Sequence, residues 1–391
     1  MFDLNKVRQD TPSCQDRIFL NSAGSSLMPN QVLNRMKTYL DEEAVHGGYK
    51  LYEMYAGEIN EFYLETAKIL NCQPHNIAYT FNATDAFAQA VFSIPFEKGD
   101  IIITSDDDYV SNHIQFNALY QRFGVQTVRV NNLENGELDL IHLERLIKEH
   151  NPRLVSITHV PTNTGKVQDV EAVGNLCEMY DILYIVDACQ SVGQMPVDVE
   201  KIKCDFLSVT GRKFLRGPRG TGFLFISDRV LKMGLTPLRL DGWSANWVAP
   251  NRFDFHESAR RFEVYEQSYS CTLGLKEAIR YANDIGMEDI YTYNQELLTR
   301  LRSNLASDGD ILFLDNGEHL VNIFTFQKNG VSKTDLENVL TQNRVYFSSA
   351  FRGSALIDFD KKGVDWAIRL SPHYFNTMQE IDKVSEIIKD L

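Results

Sequence analysis

The sequence predicts an α/β protein with a mostly parallel sheet, followed in the chain by a smaller α+β unit. Two observations lead to this class. From about residue 75 to residue 230, short apolar runs alternate with amphipathic stretches of helical periodicity, which is typical of parallel sheets covered by helices on both faces. After about residue 270 the pattern changes to long amphipathic helices mixed with short strands, which predicts the α+β unit.

The individual elements follow from this periodicity, in chain order. An N-terminal helix is predicted at about 30–46. Seven apolar runs predict the strands of the sheet, at 77–81, 101–104, 125–130, 154–159, 183–187, 206–209 and 222–226. Between them, helical patterns occur at 85–93, 111–122, 140–150 and 170–180. In the last third, helices are predicted at 273–285, 287–308, 333–341 and from 377 onward, and strands at 321–327, 344–348 and 366–371.

Composition restricts the kind of protein. Of the 391 residues, 43% are hydrophobic and 24% are charged, which is typical of a globular chain and argues against disorder. The 39 basic and 53 acidic residues give a net charge of −14, which disfavours nucleic acid and anionic membranes as partners. No apolar run approaches the ~20 residues of a membrane span, and the N-terminus has no apolar core like that of a signal peptide. We therefore expect a cytoplasmic protein.

Cysteine and histidine spacing argues against disulfides and metals. The six cysteines are scattered and form no CxxC pair, which is typical of reduced thiols in a cytoplasmic protein. His113, His159 and His373 have no cysteine or second histidine at metal-ligand spacing, so no metal site is predicted.

Two charged residues follow predicted strands, at the edge of the sheet where ligands bind in such folds. Lys213 stands in the segment SVTGRKFLRGPRGTG, shortly after a strand and before a glycine-rich turn. In a closed cleft such a lysine has a lowered pKa and becomes a nucleophilic amine, whereas in an open loop it is only solvated. Asp187 ends a strand with almost no other polar residue, so it needs a cationic partner such as a protonated ring nitrogen, or else it caps the next helix.

A third motif lies between the strand at 77–81 and the next helix. Asn82, Ala83 and Thr84 are small or hydroxyl-bearing residues at the expected start of that helix. Free backbone N–H groups and the positive end of the helix dipole bind anions such as phosphate there. Ordinary helix capping gives the same pattern, so the motif gains weight only in combination with the other two.

In combination, the three motifs resemble a known family. The stretch VDACQSVGQMPVDVEKIKCDFLSVTGRKFLRGPRGTGFLF is similar to the core of the fold-type I, pyridoxal 5'-phosphate enzymes of the class V aminotransferase family. This family includes cysteine desulfurases, selenocysteine lyases and isopenicillin N epimerase-like proteins. The resemblance extends from LNSAG at Leu20 to RLSPHYFNT at Arg369. It implies a large cofactor-binding α/β domain over 20–270, and a small α+β domain formed by 1–19 and 271–391.

The resemblance also implies roles for individual residues. The catalytic residues are Lys213, which forms the Schiff base and acts as general acid and base, and Asp187, which pairs with the pyridine nitrogen. Gln190 donates to the phenolic oxygen of the ring, and Arg369 binds the α-carboxylate of the substrate. The expected phosphate-binding residues are Asn82, Ala83, Thr84 and Thr210.

Three cofactor positions depart from the family pattern. Tyr109 stands where the desulfurases stack a histidine on the ring, and Arg212 stands where a histidine often precedes the lysine. Arginine can still bind phosphate there. Where the family has an asparagine near the phenolic oxygen, the sequence has Thr162 followed by Asn163, and either side chain is suitable.

The resemblance also implies a homodimer with active sites at the interface. The Gly-Thr pair expected in 260–270 is absent, which leaves Ser268 or Tyr269 as the residue that reaches the partner's phosphate site.

The substrate-side loop departs most strongly. Desulfurases carry a cysteine before the arginine strand, whereas the matching segment 345–353, VYFSSAFRG, has none. A persulfide on this loop is therefore excluded, and Ser348, Ser349 or Arg352 are the candidates for substrate contact. The expected activity is that of an aminotransferase acting on an amino acid or related amine. A C–S or β-elimination lyase is the alternative, and an epimerase is the third choice.

Overall fold

The computed structural model describes residues 2–391, and it contains the predicted seven-stranded sheet. The strands are β1 (Ile18–Phe19), β2 (Ile77–Thr80), β3 (Ile101–Ser105), β4 (Gln126–Val130), β5 (Leu154–Thr158), β6 (Leu183–Asp187), β7 (Phe206–Thr210), β8 (Gly222–Ile226), β9 (Ala245–Ala249), β10 (Arg252–Phe255), β11 (Ile311–Phe313), β12 (Phe324–Lys328), β13 (Val345–Tyr346), β14 (Ser348–Phe351) and β15 (Trp366–Leu370).

The helices cover both faces of this sheet and form most of the C-terminal part. They are α1 (Leu4–Asp10), α2 (Asn30–His46), α3 (Gly48–Leu70), α4 (Ala83–Val91), α5 (Val110–Phe123), α6 (Leu140–His150), α7 (Val170–Met179), α8 (Val199–Ile202), α9 (Asp228–Met233), α10 (Tyr269–Ile285), α11 (Met287–Ala306), α12 (Lys333–Gln342), α13 (Leu356–Lys362) and α14 (Met378–Lys389). None of the helices in residues 2–391 is both long and apolar enough to cross a membrane.

The large sheet has the strand order β2-β8-β7-β6-β5-β3-β4, with β3 to β7 parallel to one another and β8 antiparallel to both its neighbours. Apart from the edge strand β4, its strands are mostly apolar because both faces of the sheet are covered. The register pairs Thr158 with Asp187 and Asp187 with Ser208. Polar residues from three adjacent strands therefore meet at one edge of the sheet. The predicted fold class is confirmed.

A second sheet, with the order β11-β12-β15-β14, is antiparallel and packs with α11, α12 and α14. In it, Arg369 of β15 pairs with Ser348 of β14. Two residues of α10, Leu275 and Ile279, lie in the same hydrophobic cluster as the large sheet. The division of the chain at residue 270 stays a prediction.

Candidate active site

A cavity of about 430 Å³ lies where β5, β6 and β7 end. Its lining contains all ten predicted cofactor-binding residues, which come from five separate parts of the chain: Asn82, Ala83, Thr84, Tyr109, Thr162, Asp187, Gln190, Thr210, Arg212 and Lys213. It also contains four residues that were not predicted, namely Asn112, Thr158, Val160 and Cys189. The fold therefore brings the predicted cofactor-binding residues together, while their individual roles stay predictions.

Lys213 is the buried amine of this cavity. It follows β7 by three residues and is only 8% exposed. Burial lowers its pKa to about 8, and Arg212 and Arg369 act in the same direction, while Cys189 and Asp187 oppose the shift. Its Nζ lies 5.8 Å from the ring centroid of Tyr109, within the range of a cation–π contact. A substantial fraction of the amine is therefore uncharged, and so nucleophilic, near neutral pH.

Asp187 ends β6 and is 4% exposed. Its Oδ1 accepts a hydrogen bond of 3.0 Å from the backbone N–H of Cys189, and its Oδ2 accepts one of 3.1 Å from Nδ2 of Asn112. These bonds fix the carboxylate at the cavity wall. Sequence reasoning missed Asn112, although its place one turn into α5, shortly after Tyr109, was an available signal.

The N-terminus of α4 forms the predicted anion-binding part of the cavity. Oδ1 of Asn82 caps the helix by accepting from the N–H of Asp85 at 2.9 Å. The first amides, at Ala83 and Thr84, have no partner within the helix and remain available to an anion. The start of α4 packs closely against Gly222 of β8, where a Cβ would lie 3.0 Å from the carbonyl carbon of Asn82.

Arg369 reaches the same region from the second sheet. Its Nη1 donates to the carbonyl oxygen and to Oγ1 of Thr162, each at 2.9 Å, and its Nε donates to Oγ of Ser348 at 2.9 Å. Nε2 of Gln190 also donates to Oγ1 of Thr162, at 3.0 Å. Because this oxygen already accepts two hydrogen bonds, the O–H of Thr162 is free to donate. Asn163, in contrast, donates to Asp358 and does not line the cavity.

The cations at this site are not neutralised within the protein. Lys213, Arg212 and Arg369 form no ion pair with any carboxylate of residues 2–391. Burial lowers the pKa of Arg369 to about 10, with a further contribution from Arg212. Taking positive charge out of water is unfavourable without a partner. The site is therefore built to receive anionic groups.

The other predicted substrate contacts lie elsewhere. Ser349 bonds to Glu337, and Arg352 pairs with Asp360 on the surface, so only Ser348 reaches the arginine at the site. The hydroxyl of Ser268 caps α10 by accepting from the N–H of Cys271 at 3.4 Å. Within one protomer it is therefore a helix cap.

Cys189 is the only cysteine of residues 2–391 among the cavity-lining residues. It is 9% exposed, and burial raises the pKa of its thiol well above the ordinary value, as does the neighbouring carboxylate of Asp187. A thiol in this state is a weak nucleophile. The remaining cysteines are Cys14, Cys72, Cys177, Cys204 and Cys271.

A buried lysine and a strand-end aspartate, beside a helix N-terminus and unpaired arginines in a doubly covered sheet, define a fold-type I enzyme site for pyridoxal 5'-phosphate. The chain belongs to the Aminotransferase class-V family, which it matches over residues 18–384. This confirms the predicted family, fold and cofactor.

Individual relatives carry narrower names. A probable cysteine desulfurase of Methanothermobacter thermautotrophicus is 28% identical, over 98% of this chain and 97% of that protein. The apo structure of a cysteine desulfurase from Thermococcus onnurineus has a TM-score of 0.91 at 24% identity, covering 100% and 98% of the two chains. The cystine C–S lyase C-DES, in complex with its product cysteine persulfide, has a TM-score of 0.86 at 21% identity, covering 97% and 99%.

The residues present fit this cofactor. Its phosphate requires hydrogen-bond donors, which the start of α4, Thr210 and Arg212 would supply. Its aldehyde requires an amine, which Lys213 would supply, and its protonated ring nitrogen requires a carboxylate, which Asp187 would supply. The carboxylate of an amino acid requires a further cation, and Arg369 has N–H groups that no residue occupies.

Proposed function

We propose that this enzyme cleaves the C–S bond of an α-amino acid that carries sulfur on its β-carbon, and that it releases the sulfur without forming a persulfide on the protein. The relative described above is named a probable cysteine desulfurase, which supports chemistry at a C–S bond. One observation carries the second half of the proposal. The cavity has no reactive thiol, because the segment 345–353 lacks cysteine and Cys189 is buried with a raised pKa. Transamination, the first choice from the sequence, is the competing outcome.

Within this proposal, the residues around the cofactor divide into three groups. When bound, the cofactor withdraws electrons from the α-carbon of the substrate. The first turn of α4 and Arg212 hold its phosphate, and Asp187 keeps a proton on its ring nitrogen. The family resemblance assigns the donation to the phenolic oxygen to Gln190, but both hydrogens of its Nε2 are used by the carbonyl oxygen of Ala23 and by Oγ1 of Thr162. In this proposal the free O–H of Thr162 would donate instead, and Gln190 would hold that threonine in place.

Two basic side chains act on the substrate. The N–H groups of Arg369 bind the α-carboxylate, which places the α-carbon near the amine of Lys213. With the cofactor bound, Nζ of Lys213 would be the group that removes the α-proton and supplies a proton to the departing sulfur. The net reaction balances without an oxidant or reductant, since cysteine and water give pyruvate, ammonia and hydrogen sulfide.

The products distinguish the candidate reactions. The holoenzyme is incubated with cysteine and, separately, with cystine. We expect pyruvate and ammonia in equal amounts, with sulfide from cysteine and free cysteine persulfide from cystine. Alkylating the accessible thiols with iodoacetamide is the control, and activity should persist. Alanine together with a protein persulfide would contradict the proposal, with Cys271 the first cysteine to replace. Stoichiometric conversion of the cofactor to its amine form, without pyruvate, would support the aminotransferase instead.

We further propose that the protein is a cytoplasmic homodimer that acts on small molecules, with the active sites at the interface. The hairpin β9–β10 supports the dimer, because Trp247 is 80% exposed and Phe253 is 45% exposed on it. Such aromatic side chains are typical of interfaces rather than of free surfaces. We expect sedimentation of the wild-type protein to show a dimer and Trp247→Asp to weaken it. A monomer with full activity would contradict this proposal.

A further inference from the structure

A second carboxylate lies behind the cavity. Asp108 is 5% exposed and directly precedes Tyr109, the N-cap residue of α5. It is not among the cavity-lining residues, and it is 79 positions before Asp187 in the chain. A carboxylate at a helix N-terminus is favoured by the helix dipole, so a structural role as a helix-terminal acid is the simplest explanation of its position.

Its hydrogen bonds go beyond that role. Oδ1 of Asp108 accepts from the backbone N–H of Tyr109 at 2.7 Å and from Oγ1 of Thr158 at 2.6 Å, while Oδ2 accepts from Oγ1 of Thr104 at 2.6 Å. A further bond comes from Nδ2 of Asn112, at 2.8 Å. Two of these donors are N–H groups, which cannot accept, so Oδ1 of Asp108 acts only as an acceptor. The side chain is held from β3, β5 and α5 at once.

Asn112 connects this carboxylate to the catalytic one. Its Nδ2 donates one hydrogen to Asp108 at 2.8 Å and the other to Oδ2 of Asp187 at 3.1 Å. An amide nitrogen has two hydrogens, so both are used. The side-chain rotation of Asn112 is thereby fixed, and its N–H is aimed at Asp187. The backbone N–H of Tyr109 is fixed by the same acid.

We infer that Asp108 and Asn112 are positioning residues that set the protonation of the cofactor's ring nitrogen through Asp187. Two effects combine. The hydrogen bond from Asn112 fixes Oδ2 of Asp187. The negative charge of Asp108 also favours the protonated ring nitrogen, because a carboxylate near a basic group raises the pKa of that group. The same acid holds the backbone of Tyr109, whose ring lines the cavity. This inference rests on the cofactor and not on which bond the enzyme breaks.

The ring nitrogen itself reports the effect. Holoenzymes are prepared with a cofactor labelled with ¹⁵N in the ring, and the chemical shift separates the protonated from the unprotonated nitrogen. In Asp108→Asn we expect the nitrogen to lose its proton at a pH at least one unit lower than in the wild type. Turnover of the assay substrate should fall about tenfold to a hundredfold, with KM nearly unchanged, as is typical when a residue behind a catalytic group is replaced.

Two further variants keep the test decisive if Asp108→Asn does not fold. Asn112→Leu removes only the bridge, and it should shift the nitrogen in the same direction by a smaller amount. Ser156→Ala is the matched control, because its Oγ lies 3.5 Å from Asp108, too far for a strong bond, and it should leave the shift unchanged. Asp187→Asn gives the reference titration of the ring nitrogen when its carboxylate partner is lost altogether. A folded Asp108→Asn or Asn112→Leu with a wild-type nitrogen titration would overturn the inference, and leave the proposed C–S cleavage untouched.

Discussion

Replacing Lys213 by alanine is expected to reduce turnover by about four orders of magnitude or more, as losses of a group that both bonds and transfers protons do. No other lysine of residues 2–391 lines the cavity, so no neighbouring amine replaces it. The variant should still fold, because the lost group is a buried amine without an ion pair. Borohydride followed by mass spectrometry should find the cofactor attached at Lys213 in the wild type and nowhere in the variant.

A matched control separates burial from chemistry. Lys276 is also buried, at 1% exposure, but it pairs with Glu58 of α3 and with Glu277 of α10, and it does not line the cavity. Lys276→Met should lose stability and keep the trapped cofactor. A Lys213→Ala protein that still retains a reduced, covalently attached cofactor would contradict the assignment.

The pH dependence of cofactor capture is the complementary measurement on the wild-type lysine. The uncharged amine is the reactive form, and burial lowers the pKa of Lys213 to about 8. Below this pKa the amine is protonated, so the capture rate of the apoprotein should rise with pH and level off above about 8. An ordinary lysine would begin to level off only near 10.5. A rise that continues toward that value would show that the cavity does not lower the pKa.

The strands of the large sheet could be predicted from the sequence because each is a short apolar run between polar turns. All seven were identified, and β6 and β8 have the predicted boundaries. In contrast, no helix was predicted between 47 and 76, where the structure has α3. Gly48 and Gly57 lower the helical propensity of this segment. Its helix depends on tertiary packing, since Leu51 and Ile59 are buried with Leu273 of α10.

The site could be predicted where a residue acts on the cofactor itself, and not where it acts through a neighbour. Lys213 and Asp187 stand out because a charged residue at the end of an apolar strand needs a partner. Asp108 and Asn112 look like ordinary helix-start residues in the sequence. They gain their role only when parallel pairing of β5 with β6 brings Thr158 beside Asp187.

Arg369, the predicted substrate clamp, shows the same limit. Arg369 was predicted through the family resemblance, yet nothing in the sequence shows which groups orient it. The structure supplies them, because Ser348 and Thr162 together use its Nε and Nη1. The remaining nitrogen, Nη2, forms no hydrogen bond within residues 2–391. The orientation of the clamp therefore depends on a contact between the two sheets of the protein.

Replacing Arg369 by leucine is the second change with a large expected effect. Charged hydrogen bonds contribute about 1.5–3 kcal/mol each, so losing a two-bond clamp should lower kcat/KM for cysteine about a thousandfold, mostly through KM. Arg369→Lys should recover only part of this loss, because an ammonium group cannot keep the hydrogen bonds to Thr162 and Ser348 that orient the guanidinium. The apoprotein should lose little stability, because removal of a buried cation without an ion pair offsets the loss of its hydrogen bonds to Thr162 and Ser348.

Cysteamine, which has the amine and the thiol of cysteine but no carboxylate, tests the reason for that loss. If Arg369 binds the carboxylate, the wild type should strongly prefer cysteine, and Arg369→Leu should treat the two compounds alike. Arg352→Ala is the matched control, because this arginine of the same region pairs with Asp360 on the surface and should leave the preference unchanged. A preference for cysteine that survives in Arg369→Leu would place the carboxylate on another cation, with Arg212 the next to replace, since it is the remaining unpaired arginine of the cavity.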